Sequence, residues 1–490
     1  MTPLERKCFV AMVRLSAFRQ NGVRGDSANR SLASMLVVLA TLILSNLASP
    51  IAVAAQNRPS HKHAKCIGVT TQSLRHMACA TKAKVATKKV PATLQIIATT
   101  APAIVTPPLS TPSVEDGIQP AAQPTLASRP PSLLNTNSPS CKLPTQNTRG
   151  DVEIGFPRIT NRAPSVGVIR AAMIFVDFSD ASATIDPKTL YSYFDSTPPM
   201  LKQMSYGKAN LQITPDLQWF RMTRTTTSYQ QDLQSGFSGL RSFMSEAIAL
   251  ASTSVDFRKV DVFYVVSNPA ATNIVHSMAF VARPGYAITA GNASLSNGVL
   301  FGADWPSEYA MTLVHETSHT FGLVDDYNAD FDPRKPNDAF RFTGDFSIMS
   351  TLYGTAPEYL AWEAWLMGWL DDSQVECLAP GNSVVTLQAL ETPGGVKVAV
   401  IPISMTRALF VESRRPIAAD ARLPGSGALV YTVDTSIASA HGPLKVIGGT
   451  PALHLTDALL ALNGQVTVGN IKLTIIGSTS TTDTINVNVG

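Results

Sequence analysis

Residues 315–325 read His315-Glu316-Thr317-Ser318-His319-Thr320-Phe321-Gly322-Leu323-Val324-Asp325. On a helix, His315 and His319 sit one turn apart and face the same way. Two imidazoles so placed can hold one Zn2+ ion, and the glutamate between them falls beside the metal, where it can serve as a general base. Gly322 follows three residues after His319, where a chain leaving a helix needs positive φ and glycine supplies it at little steric cost. The chain can then swing back and offer Asp325, a carboxylate that completes three protein ligands and leaves a fourth position for water. Asp326 is adjacent and competes for that role; the spacing favours Asp325. The chemistry expected of such a set is metal-assisted hydrolysis, with Glu316 as the catalytic residue.

Several elements must position these groups. Pro306-Ser307-Glu308 reads as a helix start, and Ala310, Leu313, Val314 and Thr317 supply a stripe for core packing. Further on, Phe346-Ser347-Ile348-Met349-Ser350 places a methionine 30 residues after His319, close enough to lie beneath the metal. Asp330, Asp332 and Asp338 raise the option of a Ca2+ site in the intervening loop, although they lack regular EF-hand spacing.

Upstream, residues 171–178 read as a buried strand, 187–204 as helical, 211–214 as the start of a strand, 238–252 as an amphipathic helix and 260–266 as a strand. Residues 278–303 suggest short strands, including an edge strand able to align an extended substrate. A helix is expected near 358–370. After Cys377, short β-rich runs at 384–387, 396–401, 408–411, 429–433 and 471–476 are punctuated by Gly and Pro, which suggests a β-sandwich.

The stretch from His315 to Tyr327, with Ser347-Ile348-Met349-Ser350, resembles the immune-inhibitor-A-like family of secreted zinc metallopeptidases, which are of metzincin type. Met204-Ser205-Tyr206-Gly207-Lys208-Ala209-Asn210-Leu211, Ala361-Trp362-Glu363, Leu366-Met367-Gly368-Trp369-Leu370, Phe410-Val411-Glu412-Ser413-Arg414-Arg415 and residues 423–431 are also similar to segments of that family. The resemblance spans about residues 165–440. It implies an α/β (α+β) metzincin-like catalytic domain followed by a mostly β accessory domain. It also implies a zinc metalloendopeptidase in which His315, His319 and Asp325 hold the metal, Glu316 is the base, Gly322 makes the turn and Met349 underlies the site. The chain departs from the family at Val324, where Pro is frequent. Some other metzincins carry a Tyr two residues after the Met; here that position is Thr351, and the nearest tyrosine is Tyr353.

The chain has 490 residues, 45% hydrophobic and only 15% charged, enough for more than one domain with a real core. Residues 1–55 read as a signal peptide with a long basic n-region, an apolar stretch from Met35 to Leu44 and a small-residue cleavage site at Ala52-Val53-Ala54. The alternative is an uncleaved membrane anchor, because residues 35–55 are long enough to span a bilayer. The net +4 of the whole chain is unevenly spread: residues 1–55 carry +4 and residues 56–90 carry +8, leaving −8 on residues 91–490. The basic tail can rest on an anionic cell surface, lie against the acidic body as part of a pro-region, or stay solvated. No aromatic residue interleaves its charges, so nucleic-acid binding is not expected. Residues 91–140 are rich in Pro, Thr, Ser and Ala and read with the tail as a disordered linker or pro-region over 56–140. The catalytic domain is expected over 141–376 and the β domain over 377–490.

Removing Cys8 with the signal leaves Cys66, Cys79, Cys141 and Cys377. An even four in an exported chain suggests two disulfides, with three pairings open; the expected one is Cys66–Cys79 with Cys141–Cys377. The functional expectation is therefore a secreted, monomeric zinc endopeptidase acting on protein or peptide substrates. The alternatives are a surface-binding protein on a degenerate peptidase scaffold, which the intact Glu316 disfavours, and a zinc hydrolase of non-peptide substrates.

Overall fold

The computed structural model describes residues 141–146, 154–307 and 310–490. The expected signal peptide, the basic tail and linker, Cys66, Cys79 and Glu308 lie outside the described residues. Among the described residues no helix is long and apolar enough to cross a membrane.

The fold is mixed α/β with few helices. Its first sheet is built on β1 (Gly167–Asp177), whose run Ala171-Ala172-Met173-Ile174-Phe175-Val176 is apolar at every position. That pattern belongs to a parallel strand covered on both faces. β1 lies between β2 (Ala209–Arg221) and β3 (Val262–Ser267), parallel to both. β3 in turn pairs in parallel with β7 (Asn297–Phe301), and β4 (Met278–Val281) closes the sheet as an antiparallel edge, giving the order β2-β1-β3-β7-β4. A small hairpin, β5 (Ile288–Ala290) with β6 (Ala293–Leu295), precedes β7.

The two faces of β1 serve two cores. Ala172, Ile174 and Val176 join Leu240, Phe243 and Met244 of the helix Phe237–Ala251. Met173 and Phe175 face the opposite core with Leu313 and Val314 of the helix Ala310–Phe321, which carries His315, Glu316 and His319. The expected helix over 187–204 is two short helices, α1 (Pro187–Ser192) and α2 (Thr197–Met204), because Pro198 and Pro199 start a new helix instead of continuing one. Numbered onward, α3 is Thr226–Gln234, α4 is Phe237–Ala251, α5 is Ala310–Phe321 and α6 is Ala361–Leu366.

The C-terminal part contains two sheets. One has the order β13-β12-β11-β10-β8, formed by β8 (Val375–Cys377), β10 (Val398–Pro402), β11 (Arg407–Arg414), β12 (Gly427–Asp434) and β13 (Leu444–Val446). The other has the order β14-β15-β16-β9, formed by β9 (Gly381–Gln388), β14 (Gln465–Val468), β15 (Ile471–Ser478) and β16 (Thr482–Val489). They face each other across Ala399, Ile401, Leu409, Val411, Leu473, Ile475, Ile485 and Val487. The alternation of β16 (Thr-Asp-Thr-Ile-Asn-Val-Asn-Val) is a readable period-two signal that the apolar-run reading passed over.

The first of these sheets is apolar on its other face too. Val398, Val400, Phe410 and Tyr431 belong to the same core as Leu313, Met349 and Trp362, with the Trp362 and Phe410 rings 5.3 Å apart. Residue 376 lies inside β8, and one core runs through both sides of it. A disulfide joins Cys141 to Cys377, with Cα atoms 5.9 Å apart.

A buried polar node marks this seam. The Arg414 side chain, fully buried, faces Glu412 at 3.5 Å, Asp420 at 3.2 Å and Glu391 at 3.8 Å. It also donates to the carbonyls of Tyr359 (3.2 Å) and Glu358 (3.1 Å), the two residues that lead into the Leu360 cap of α6. The Met204–Leu211 segment contributes here. Tyr206 and Gly207 both have positive φ, and the turn they make carries the Tyr206 hydroxyl to the Leu390 carbonyl.

Candidate metal centre

α5 is held by its buried back. The Tyr264 hydroxyl on β3 meets Thr317 Oγ1 at 2.9 Å, and Ser318 Oγ donates to Val314 O while receiving the Tyr359 hydroxyl. These contacts fix the rotation of the helix, and with it the direction in which His315 and His319 point. The helix ends as the sequence requires. Gly322 has φ of +112°; its N–H bonds to His319 O, and the Leu323 N–H reaches back to Ser318 O. This is the paired 5→2 and 6→1 closure of a Schellman motif.

Each histidine is fixed by its outer nitrogen. His315 Nδ1 donates to Ile348 O at 2.9 Å, and His319 Nδ1 donates to Leu323 O at 2.8 Å. With Nδ1 engaged on a carbonyl in each ring, both Nε2 atoms face inward, where the neutral form of either imidazole presents a lone pair. They lie 3.2 Å apart, and Asp325 Oδ1 lies 3.4 Å from the first and 3.2 Å from the second. Two bare imidazole nitrogens and a carboxylate oxygen at such separations require a cation or a proton among them. A tetrahedral ion with ligand distances of about 2.0–2.1 Å sets its ligand atoms about 3.3–3.4 Å apart, so the three donors fit a metal ion of that kind. Among the described residues, His315, His319 and Asp325 form the one group of three such ligands.

The geometry separates the two adjacent acids. Asp325 is the group's third member, whereas Asp326 is fully buried and neither of its carboxyl oxygens has a hydrogen-bond partner. Burial, followed by the fields of Glu363 and Asp325, holds Asp326 well above the ordinary carboxylate range. Burial works the same way on Asp325, but the two histidines outweigh it and pull that group far down. His319 is the complement: burial alone would depress it, and the Asp325 charge and hydrogen bond instead raise it to about 9. Glu316 is raised, first by burial, with the histidines opposing and Asp325 and Asp304 reinforcing.

Met349 is fully buried in a tight turn in which Ser347 has φ of +81° and Ser350 N–H returns to Ser347 O. The turn acts through its backbone: Ile348 O holds His315, and Met349 O receives the Asp326 N–H at 2.9 Å. Thr351 is buried, while Tyr353 is 57% exposed.

Among the described residues, Asp330, Asp332 and Asp338 do not gather into the calcium site that was one option for this loop. Asp338 Oδ2 accepts the Asp332 N–H at 2.7 Å and its other oxygen faces Arg341; Asp332 pairs with Arg334 at 2.9 Å. Asp330 points outward toward His441. These acids are engaged in ordering the loop and do not converge.

Sequence reasoning missed several parts of the centre. The carbonyls of Ile348 and Leu323 carry no side-chain signal. Asp304, whose charge reaches Glu316, accepts from Ser277 N and Oγ and faces His276 at 3.7 Å. Its place just before α5 was the available clue. Ser439, which touches the Asp325 peptide, lies 114 residues away and had none. Compared with known proteins, the chain matches no protein-family model and no curated protein.

Proposed function

We propose that this protein is a secreted zinc-dependent endopeptidase with a metzincin-type catalytic region, of the kind its motifs resemble. The observation that carries this reading is the convergence of His315 Nε2 and His319 Nε2, on the helix that also presents Glu316, with Asp325 Oδ1 from the loop after it, all within 3.2–3.4 Å of one another. The donor set of two neutral imidazoles and one carboxylate suits zinc and leaves an open position. When bound there, zinc supplies Lewis acidity that acidifies water and polarises a carbonyl.

The chain's own residues supply the rest. His315, His319 and Asp325 hold the ion, and Ile348 O and Leu323 O keep each imidazole in the tautomer that presents Nε2. Glu316 takes a proton from the attacking water and delivers it to the departing amine nitrogen. Strand β4 has β7 as its one sheet neighbour, antiparallel, so its outer edge can pair with an extended peptide and align it along the sheet. The Cys141–Cys377 bridge supports an oxidising, extracellular setting.

The test is cleavage of casein by the zinc-loaded protein, alongside a chelator arm and a Glu316→Ala arm. Cleavage lost in both arms is expected. A protein that binds zinc through His315 and His319 yet cleaves no unfolded protein would overturn the endopeptidase reading.

A further inference from the structure

The loop between β12 and β13, residues 435–443, belongs by sequence to the C-terminal β region, yet it reaches the metal centre. The Asp325 N–H donates to Ser439 Oγ at 3.0 Å, and the next residue of the loop, Ala440, donates its N–H to Asp325 O at 2.9 Å. Ala440 O then accepts the Ala329 N–H at 2.9 Å. Both polar groups of the Asp325 peptide unit are therefore gripped by two consecutive loop residues. All of this is buried: Asp325 is 3% exposed, Ser439 6% and Ala440 1%.

The loop is built to hold that position. Ala440 has φ of +61°, a left-handed conformation that a non-glycine residue keeps only where its surroundings over-determine it. Its methyl is packed with Ala329, Phe331 and Ala339 in a small core of its own. The loop's first residue is anchored, with Thr435 N–H on Thr406 O and Thr435 Oγ1 on Pro144 O. At the far end Gly442 has φ of +83°, and a Cβ there would meet Lys445 and Phe342. The side chain on the Asp325 N–H is that of Ser439, from this loop.

We infer that the β12–β13 loop is a positioning element of the metal centre, and that Ser439 is the residue that fixes the third ligand. With its peptide N–H and C=O both held, Asp325 has its Cα–Cβ direction set before any metal arrives, and only two side-chain torsions remain to bring Oδ1 onto the histidines. Without the Ser439 hydroxyl, the buried Asp325 N–H loses the bond it makes to that side chain and the ligand loop can shift away from the imidazoles. The C-terminal region is on this account part of the metal centre, not an appendage to it. The inference rests on the metal-site reading above.

The experiment uses the full chain, with affinity for Zn2+ measured by competition against a chromophoric chelator and the site's geometry read from the visible spectrum of the Co2+ form. Ser439→Ala is expected to weaken Zn2+ binding about tenfold, the range seen when partners that orient metal ligands are removed, and to alter the Co2+ bands. Ser436→Ala, on the same loop but with its hydroxyl turned to Asp434, is expected to change neither. Should Ser439→Ala fail to fold, Ser439→Thr against Ser439→Val, equal in size and differing in the hydroxyl, carries the comparison. Parent-like Zn2+ affinity and Co2+ bands in the hydroxyl-less variants overturn the inference while leaving the metal site standing. A parent chain that binds no Zn2+, or binds it equally well after His315→Ala, overturns both.

Discussion

Replacing Arg414 by methionine tests how the part that carries His315 and His319 is joined to the β part. Arg414 is the cation among three buried carboxyl groups, Glu391, Glu412 and Asp420, at 3.2–3.8 Å, and it caps two carbonyls ahead of α6. Removing one partner of a buried ion pair costs about 3–5 kcal/mol, because the other charge stays behind. Each carbonyl left without its donor adds about 1 kcal/mol or more. The sum is a large share of the roughly 5–15 kcal/mol that holds a typical domain together. For a body of this size it corresponds to a melting point lower by on the order of 10 °C.

The sign of the pH dependence is fixed by the same residues. Burial raises Glu391 to about 8 and pushes Glu412, Asp420 and Glu358 above their ordinary values, with Arg414 opposing in each case. Groups with folded values above their unfolded ones favour the fold most at low pH, and that contribution is lost as pH rises through the folded values. Without Arg414 those values rise further. The deficit of Arg414→Met should therefore be larger near pH 8, around the value to which Glu391 is raised, and smaller at pH 5, where more of the carboxyl groups carry a proton. Thermal melts of parent and variant at the two pH values measure it. An equal deficit at both, or one below about 1 kcal/mol, refutes the idea that Arg414 acts by compensating charge.

Two further outcomes follow from the site and its clasp. Asp325→Ala should weaken zinc binding by more than the 10–100-fold typical of outer residues, whereas Asp326→Asn, at a position whose carboxyl faces Glu363 and not the histidines, should stay within about tenfold of the parent; equal losses in competition titrations would reassign the third ligand. Cys141 and Cys377 are 236 residues apart in sequence, so replacing both with serine frees a long loop in the unfolded chain and should cost about 2–4 kcal/mol; an unchanged urea midpoint with unchanged slope would show that the bridge does not stabilise the fold.

The legible parts of this protein are those in which side-chain type and local spacing coincide. His315, Glu316, His319, Gly322 and Asp325 lie within 11 residues, so a helix of 3.6 residues per turn followed by one glycine turn makes them neighbours that local spacing can reveal. β1 was legible because a strand covered on both faces must be apolar at every position. The helical reading of 187–204 holds in two pieces, because Pro198 and Pro199 start a helix as readily as they break one. The Asp330, Asp332 and Asp338 cluster was ambiguous because acidic residues in a loop are as well satisfied by backbone N–H groups and arginines as by a hard cation, and here they are engaged in that way. What could not be read at all were contacts made by the backbone, such as Ile348 O on His315, and contacts across large sequence distance, such as Ser439 on Asp325.

That second group explains why one core runs through the expected domain boundary. The β10–β11–β12 sheet is apolar on both faces, so it cannot end the molecule; it must be covered by the β9–β16 sheet on one side and by Trp362 and its neighbours on the other. A sheet wedged in this way places its β12–β13 loop where Asp325 turns back toward the histidines. Arg414 fixes the seam on the carbonyls of Glu358 and Tyr359, and Tyr359 in turn holds Ser318 on the back of the helix that carries His315 and His319. The helix therefore answers to the β region from two directions: through the ligand loop in front and through Tyr359 behind. A chain cut at residue 376 would lose both supports and expose Trp362 and Phe346 to water. It should for that reason retain the motif and lose the metal centre.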